Sequence, residues 1–97
     1  MVILKTLSRA EKMHGFEIAS AIYETSENVL QVEEGSLYPA LQRLLLKGWI
    51  AGDWGRTPGN RRARYYRLTN SGRKQLNAEI AAYRRVSGAI ARILEPA

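Results

Sequence analysis

The stretch Gly35-Ser36-Leu37-Tyr38-Pro39-Ala40-Leu41-Gln42-Arg43-Leu44-Leu45-Leu46-Lys47-Gly48 decides the fold. Leu37, Leu41, Leu44 and Leu45 fall at i, i+4, i+7 and i+8, the core stripe of an amphipathic helix. Gly35-Ser36 offers a turn and an N-cap. Pro39 then lies in the first turn, where a missing N–H costs nothing, and Gly48 is a natural stop. The spacing predicts a helix over 36–47. Its opposite side carries Pro39, Gln42, Arg43 and Leu46, flanked by Tyr38 and Lys47.

Downstream, residues 49–54 alternate, with Ile50, Gly52 and Trp54 on one side. Residues 55–60 (GRTPGN) have the chemistry of a hairpin loop. Residues 61–68 (RRARYYRL) return as a second strand with Arg62, Arg64, Tyr66 and Leu68 on one face. Thr69-Asn70-Ser71-Gly72 caps a further helix, 72–94. In it Leu76, Ile80, Tyr83, Ser87, Ile90 and Leu94 repeat at intervals of four and three. At 1.5 Å per residue it is roughly 35 Å long, so its far half overshoots so small a core. A second copy of the chain is the simplest cover.

Upstream, Ile3, Leu4 and Leu7 read as the end of a helix that starts abruptly at Met1, as though part of it were missing. A polar connection follows. The next helix, 14–25, is expected to present Phe16, Ala19, Ile22 and Tyr23 on one face. Val29, Leu30 and Val32 suggest one brief strand. The fold class expected is mainly α with a small β-hairpin: a winged helix-turn-helix over 1–71, with one long C-terminal helix, 72–97, for dimerisation. Helix 36–47 would enter the major groove of DNA, and the hairpin would be the wing.

Charge agrees with pattern. The 97 residues carry 15 Lys+Arg against 9 Asp+Glu, a net +6. Residues 1–53 hold five basic and seven acidic side chains, a balance of −2. Residues 54–97 hold ten against two, a balance of +8. No carboxylate lies between Trp54 and Ala78, where seven basic residues fall. That asymmetry peaks on the expected wing, and Arg forks suit phosphate geometry. There is no cysteine and His14 is the single histidine. This excludes disulfides and a cysteine nucleophile, and it disfavours a zinc site or a histidine-based triad. With no phosphate loop, no nucleophile–base pair and no metal cluster, no catalysis and no cofactor are expected. No apolar run approaches the ~20 residues of a membrane span, and the start does not read as a signal peptide. The cytoplasm is the expected location.

The chain resembles the PadR family of bacterial transcriptional regulators, in its shorter subgroup with one C-terminal dimerisation helix. The resemblance rests on His14-Gly15-Phe16-Glu17-Ile18 and Glu34-Gly35-Ser36-Leu37-Tyr38-Pro39-Ala40-Leu41. Gly48-Trp49-Ile50, Trp54-Gly55, Arg64-Tyr65-Tyr66-Arg67-Leu68-Thr69 and Gly72 also carry it. It implies a dimeric repressor on a palindromic operator in double-stranded DNA. Ser36, Tyr38, Pro39, Gln42 and Arg43 fall on the recognition helix, and Arg61, Arg62 and Arg64 on the wing. Leu76, Ile80, Tyr83, Val86, Ile90, Ile93 and Leu94 would form the dimer. An effector pocket would lie between protomers, though no residue specifies a ligand. The chain departs from the family in its short first helix, in Leu45 and Leu46 where charge is common, and in lacking Gly-Pro near 9–13.

Several residues admit two readings. Gln42 and Arg43 suit adenine and guanine edges, or form an ordinary solvated face. The wing arginines meet phosphate or minor groove, or guard a strand edge. Tyr66, sharing a face with Leu68, is expected to pack under the wing. Trp49 and Trp54 are expected in core or dimer packing, and His14 at a helix start. Leu46 and the long apolar helix also fit a protein-interaction module that does not read DNA.

Overall fold

The computed structural model describes residues 1–96. Four helices, α1 (Val2–Leu7), α2 (Gly15–Thr25), α3 (Glu34–Leu46) and α4 (Asn70–Leu94), surround a three-stranded antiparallel sheet. Its strands are β1 (Met13–His14), β2 (Ile50–Arg56) and β3 (Arg62–Leu68), in the order β1-β3-β2. The β2–β3 hairpin runs in unbroken register from Ile50↔Leu68 to Arg56↔Arg62.

The core joins Leu4 and Leu7 of α1, Ile18 and Ile22 of α2, and Leu37 and Leu41 of α3. Ile50, Tyr66 and Leu76 complete it, from β2, β3 and α4. Burying each leucine or isoleucine contributes about 1.5–3 kcal/mol. Leu44 and Leu45 pack partly against this cluster, as their spacing predicts.

The third strand is not where the sequence suggests. Val29–Val32 is irregular, and Val29 and Leu30 are exposed. Glu27 and Asn28, both at positive φ, turn the chain after α2. The Leu30 N–H donates to Ser26 Oγ (2.9 Å), so the loop meets its hydrogen bonds locally. Met13 and His14 take the free edge of β3 instead, paired with Tyr66 and Tyr65.

His14 then starts α2, as expected of it. The Glu17 N–H donates to its Nδ1 (3.4 Å), and the His14 N–H donates to Glu17 Oε1 (3.0 Å), a capping box. The buried face of α2 is Gly15, Ile18 and Ile22. The expected face of Phe16, Ala19, Ile22 and Tyr23 was offset, because the Ile18–Ile22 pair anchors the helix. Phe16 is 75% exposed, and Tyr23 is exposed too.

Helix α3 begins at Glu34, two residues before the expected Ser36. Glu33 is its N-cap and provides no side-chain cap. The Ser36 N–H donates to the Glu33 carbonyl (3.0 Å), placing Ser36 in the first turn. Pro39 therefore falls in the second turn and removes one helical bond, to exposed Gly35. At the other end the Trp49 and Gly48 N–H groups donate back to Leu44 (3.1 Å) and Leu45 (3.0 Å). Gly48 has φ 74°, so this is a Schellman stop.

Thr69 ties α3 to α4. Its hydroxyl accepts from the Gly72 N–H (3.0 Å) and donates to the Gly48 carbonyl (2.7 Å). Gly72 lies so close to the Trp49 backbone that a Cβ would collide with its carbonyl oxygen. Gly72→Ala must therefore push α4 off the hairpin, at a cost of about 3 kcal/mol. We expect the melting temperature to fall by roughly 12–24 °C. Thermal denaturation followed by circular dichroism measures this, with exposed Ser71→Ala as the near-neutral control. Equal melting temperatures would show that the contact is not fixed.

Along α4, Leu76 is buried and Ile80 packs partly on the same core. Both had been expected at a dimer face, but the protomer itself occupies Leu76 and shares Ile80. Tyr83, Val86, Ile90, Ile93 and Leu94 are exposed along the projecting half. That half stretches the molecule to 58 Å against 29 and 22 Å. Of the span 72–97 expected to dimerise, Ala97 lies outside the described residues.

Candidate nucleic-acid interface

The hairpin tip is built by its turn residues. The Asn60 N–H donates to the Thr57 carbonyl (2.8 Å), the Thr57 N–H to the Arg61 carbonyl (2.8 Å), and Asn60 takes φ 62°. The Arg61 N–H donates to Thr57 Oγ1 (3.2 Å) and Arg56 Nη1 to the Asn60 carbonyl (3.2 Å). These bonds hold the tip in one shape and so fix where its arginines emerge.

The pleat sorts the side chains. Trp54 pairs with Arg64 and Gly52 with Tyr66, on the face that carries Arg62 as well. Asp53 pairs with Tyr65 and so projects from the other face, away from those arginines. There the Tyr65 hydroxyl donates to the Arg56 carbonyl (3.1 Å), and Lys12 Nζ lies 5.0 Å from the Tyr65 ring centre.

Between this arginine face and α3 runs an open groove of about 600 Å³. It is lined by His14, Gly15 and Phe16, by Tyr38 and Gln42, and by Trp54, Thr57, Arg61, Arg62, Ala63, Arg64 and Tyr66. None of these is acidic. Five of the sequence-predicted residues thus meet: Tyr38, Gln42, Arg61, Arg62 and Arg64. Ser36, Pro39 and Arg43 do not line it. They are exposed on the outer ridge of α3, and Arg43 borders a separate hollow of about 380 Å³ with Met1, Val2, Ile3, Ala40, Leu44, Lys47 and Trp49.

The groove's polar groups are held differently. Arg64 lies flat across Gly52, where a Cβ would meet its Nε at 2.7 Å, with its guanidinium 5.8 Å from the Tyr66 ring centre. Arg62 stacks over Trp54 at 4.4 Å. Arg61 is exposed. Tyr38 is 47% exposed, its hydroxyl resting against Gly15, where a Cβ would stand at 3.0 Å. Burial pushes the Tyr66 phenol above its ordinary range, while neighbouring Arg64 opposes that rise and Tyr38 adds to it. Tyr66 is buried under the wing, as its shared face with Leu68 implies.

Sequence reading did not place His14, Phe16 or Trp54 in the groove. His14 and Phe16 arrive there through the unforeseen β1 and the offset face of α2. Trp54 was expected in core or dimer packing; the protomer's core does not cover it, and it is 62% exposed. Its place on the face of Arg62 and Arg64 follows from hairpin register alone. Trp49 does pack against the core, with Lys47 Nζ 4.6 Å from its ring centre.

Two helices joined through a turn, a basic hairpin beside the second of them, and a groove between the two define a winged helix-turn-helix, a DNA-binding fold. The chain matches the PadR-like transcriptional regulator family over residues 3–78 and belongs to that family. It is a transcriptional regulator rather than a member of an enzyme family. An uncharacterized protein of Lysinibacillus sphaericus is 28% identical over 94 residues, covering 97% of this chain and 85% of that one. A transcriptional regulator from Clostridium thermocellum superposes with a TM-score of 0.86 at 26% identity, covering 97% of this chain and 90% of that chain. A PadR family regulator from Clostridium difficile does so at 0.81 and 27%, covering 97% and 95%. Bacillus subtilis PadR, solved in complex with operator DNA, shares the fold at 0.71 and 24% identity, over 81% of this chain and 43% of that one. Among the described residues no helix is long and apolar enough to cross a membrane.

Proposed function

We propose that this chain is a cytoplasmic, dimeric repressor that reads a palindromic operator. Residues 1–71 bind the DNA and 72–97 dimerise. Helix α3 enters the major groove, with Gln42 and Arg43 at base edges and Ser36, Tyr38 and Pro39 against the backbone. The wing, 55–64, sets Arg61, Arg62 and Arg64 on the adjacent backbone or minor groove. The observation that carries this reading is the groove that unites α3 and the wing without a carboxylate. The solved complex of Bacillus subtilis PadR with operator DNA supports it at the level of fold. A small-molecule effector would act between protomers.

The test is a footprint on the DNA upstream of the chain's own reading frame, repeated across salt concentrations. A protected palindrome is expected, with log K falling by about 0.9 per released phosphate counterion against log salt. Equal affinity for random duplex would overturn sequence-specific repression. A second reading, a protein-interaction module, draws on Leu46, which is 87% exposed at the C-terminal end of α3. Random-duplex affinity that barely responds to salt would favour it.

A further inference from the structure

We propose that Trp54 is a positioning residue for the wing: its indole holds the Arg62 guanidinium as a preset fork facing the groove. This inference rests on the DNA-binding reading above and adds a residue to it.

A tryptophan 62% exposed on a short hairpin calls for a physical reason, because nothing in the protomer's core covers it. Hairpin register supplies one. Trp54 pairs directly with Arg64, so Arg62 is its diagonal neighbour on the same face. The Arg62 guanidinium lies 4.4 Å from the ring centre, well inside the range of a cation–π stack. Among the described residues Arg62 makes no ion pair that competes for its fork. Both side chains line the groove opposite Tyr38 and Gln42. A free arginine loses much rotamer freedom when it grips a phosphate. A stacked one is already ordered, and its N–H edge stays open. Arg64 gains comparable order from Gly52 and Tyr66, whereas Arg61 has no such platform. Of the three arginines assigned to DNA contact, two are thus preset and one is free.

The closing experiment is a double-mutant cycle on labelled operator duplex, read by fluorescence anisotropy, with a ring-current measurement on the free protein. Trp54→Ala is expected to weaken binding about five-fold, as befits a partly exposed stack, and Trp54→Phe by less. In an Arg62→Ala background Trp54→Ala should change nothing further. In DNA-free protein the Arg62 side-chain protons should lie upfield in the wild type and return to ordinary shifts in Trp54→Ala. Equal melting temperatures check that the variants fold. Additive losses from the two substitutions would overturn the proposal, as would Arg62 resonances indifferent to Trp54. A wild-type chain that binds no DNA would instead overturn the repressor reading, and with it the DNA role of Trp54. The ring-current arm still decides the stack in that case.

Discussion

Replacing Arg61, Arg62 and Arg64 together by alanine is expected to weaken operator binding on the order of a thousandfold at physiological salt. Hydrogen bonds to charged partners contribute about 1.5 kcal/mol each at the lower end of their range. Three of them amount to about three decades in affinity. The salt response supplies a second number from the same samples. Each lost phosphate contact removes about 0.9 from the slope of log K against log salt, so the triple variant should be shallower by roughly 2.7. The three are not equivalent. Arg61 lacks a platform, so its removal should cost least, while Arg62 and Arg64 are held against Trp54 and across Gly52. Arg61 and Arg62 are exposed, so their loss should leave the melting temperature nearly unchanged. Random and operator duplex should weaken together, because phosphate contacts position the protein without reading sequence. A triple variant that kept the wild-type salt slope would remove the wing from the interface.

What could be read from the sequence follows from which forces are local. The leucine stripe of α3, its Gly48 stop, the Thr69 cap and the hairpin turn are set by neighbours a few residues away. Each stands in the structure within two residues of where its pattern put it. The charge asymmetry was legible for the same reason, since seven basic residues between Trp54 and Ala78 must crowd one hairpin and its exit.

Apart from the start of α3, which lies two residues before the expected Ser36, the misplaced features depend on distant partners. Met13-His14 is too short to announce itself as a strand, and it is one only because β3 leaves an edge beside it. The face of α2 could not be chosen from spacing alone, since Phe16 and Ile18 both continue an apolar series to Ile22. Packing against α1 selects Ile18 and turns Phe16 toward the groove. Residues at 76 and 80 share a stripe with those beyond 83, so periodicity could not say where the protomer's own core ends. The groove was half legible. Its arginines stood out by charge, but their aromatic supports looked like any core residue until hairpin register paired them.

The division of α4 makes the other large prediction. Val86→Glu combined with Ile90→Glu should convert the protein to a monomer and weaken binding to a full palindrome by 10²–10⁴-fold, the range expected when two linked sites become one. Val86 and Ile90 are four residues apart on the projecting half, with Tyr83, Ile93 and Leu94 exposed beside them. Leu76 and Ile80 lie on the near side and stay with the protomer's core, so the substitutions spare the fold. An apolar ridge of this kind is covered most simply by its own copy across a two-fold axis, each side chain contributing about 1.5–3 kcal/mol when buried. The same axis would set two α3 helices against successive major grooves, one helical turn or roughly 34 Å apart. Paired glutamates on the ridge would have to be desolvated against each other, which the proposed dimer could not sustain. Sedimentation over a range of concentrations reads the assembly. Anisotropy on full-site and half-site duplexes reads the linkage. The half-site affinity should stay at its wild-type value, because one protomer's α3 and wing are untouched. A double variant that still sedimented as a dimer would place the interface elsewhere. A wild-type chain that was monomeric at every concentration would require each protomer to find its site alone, and the palindrome would then confer no advantage over its half.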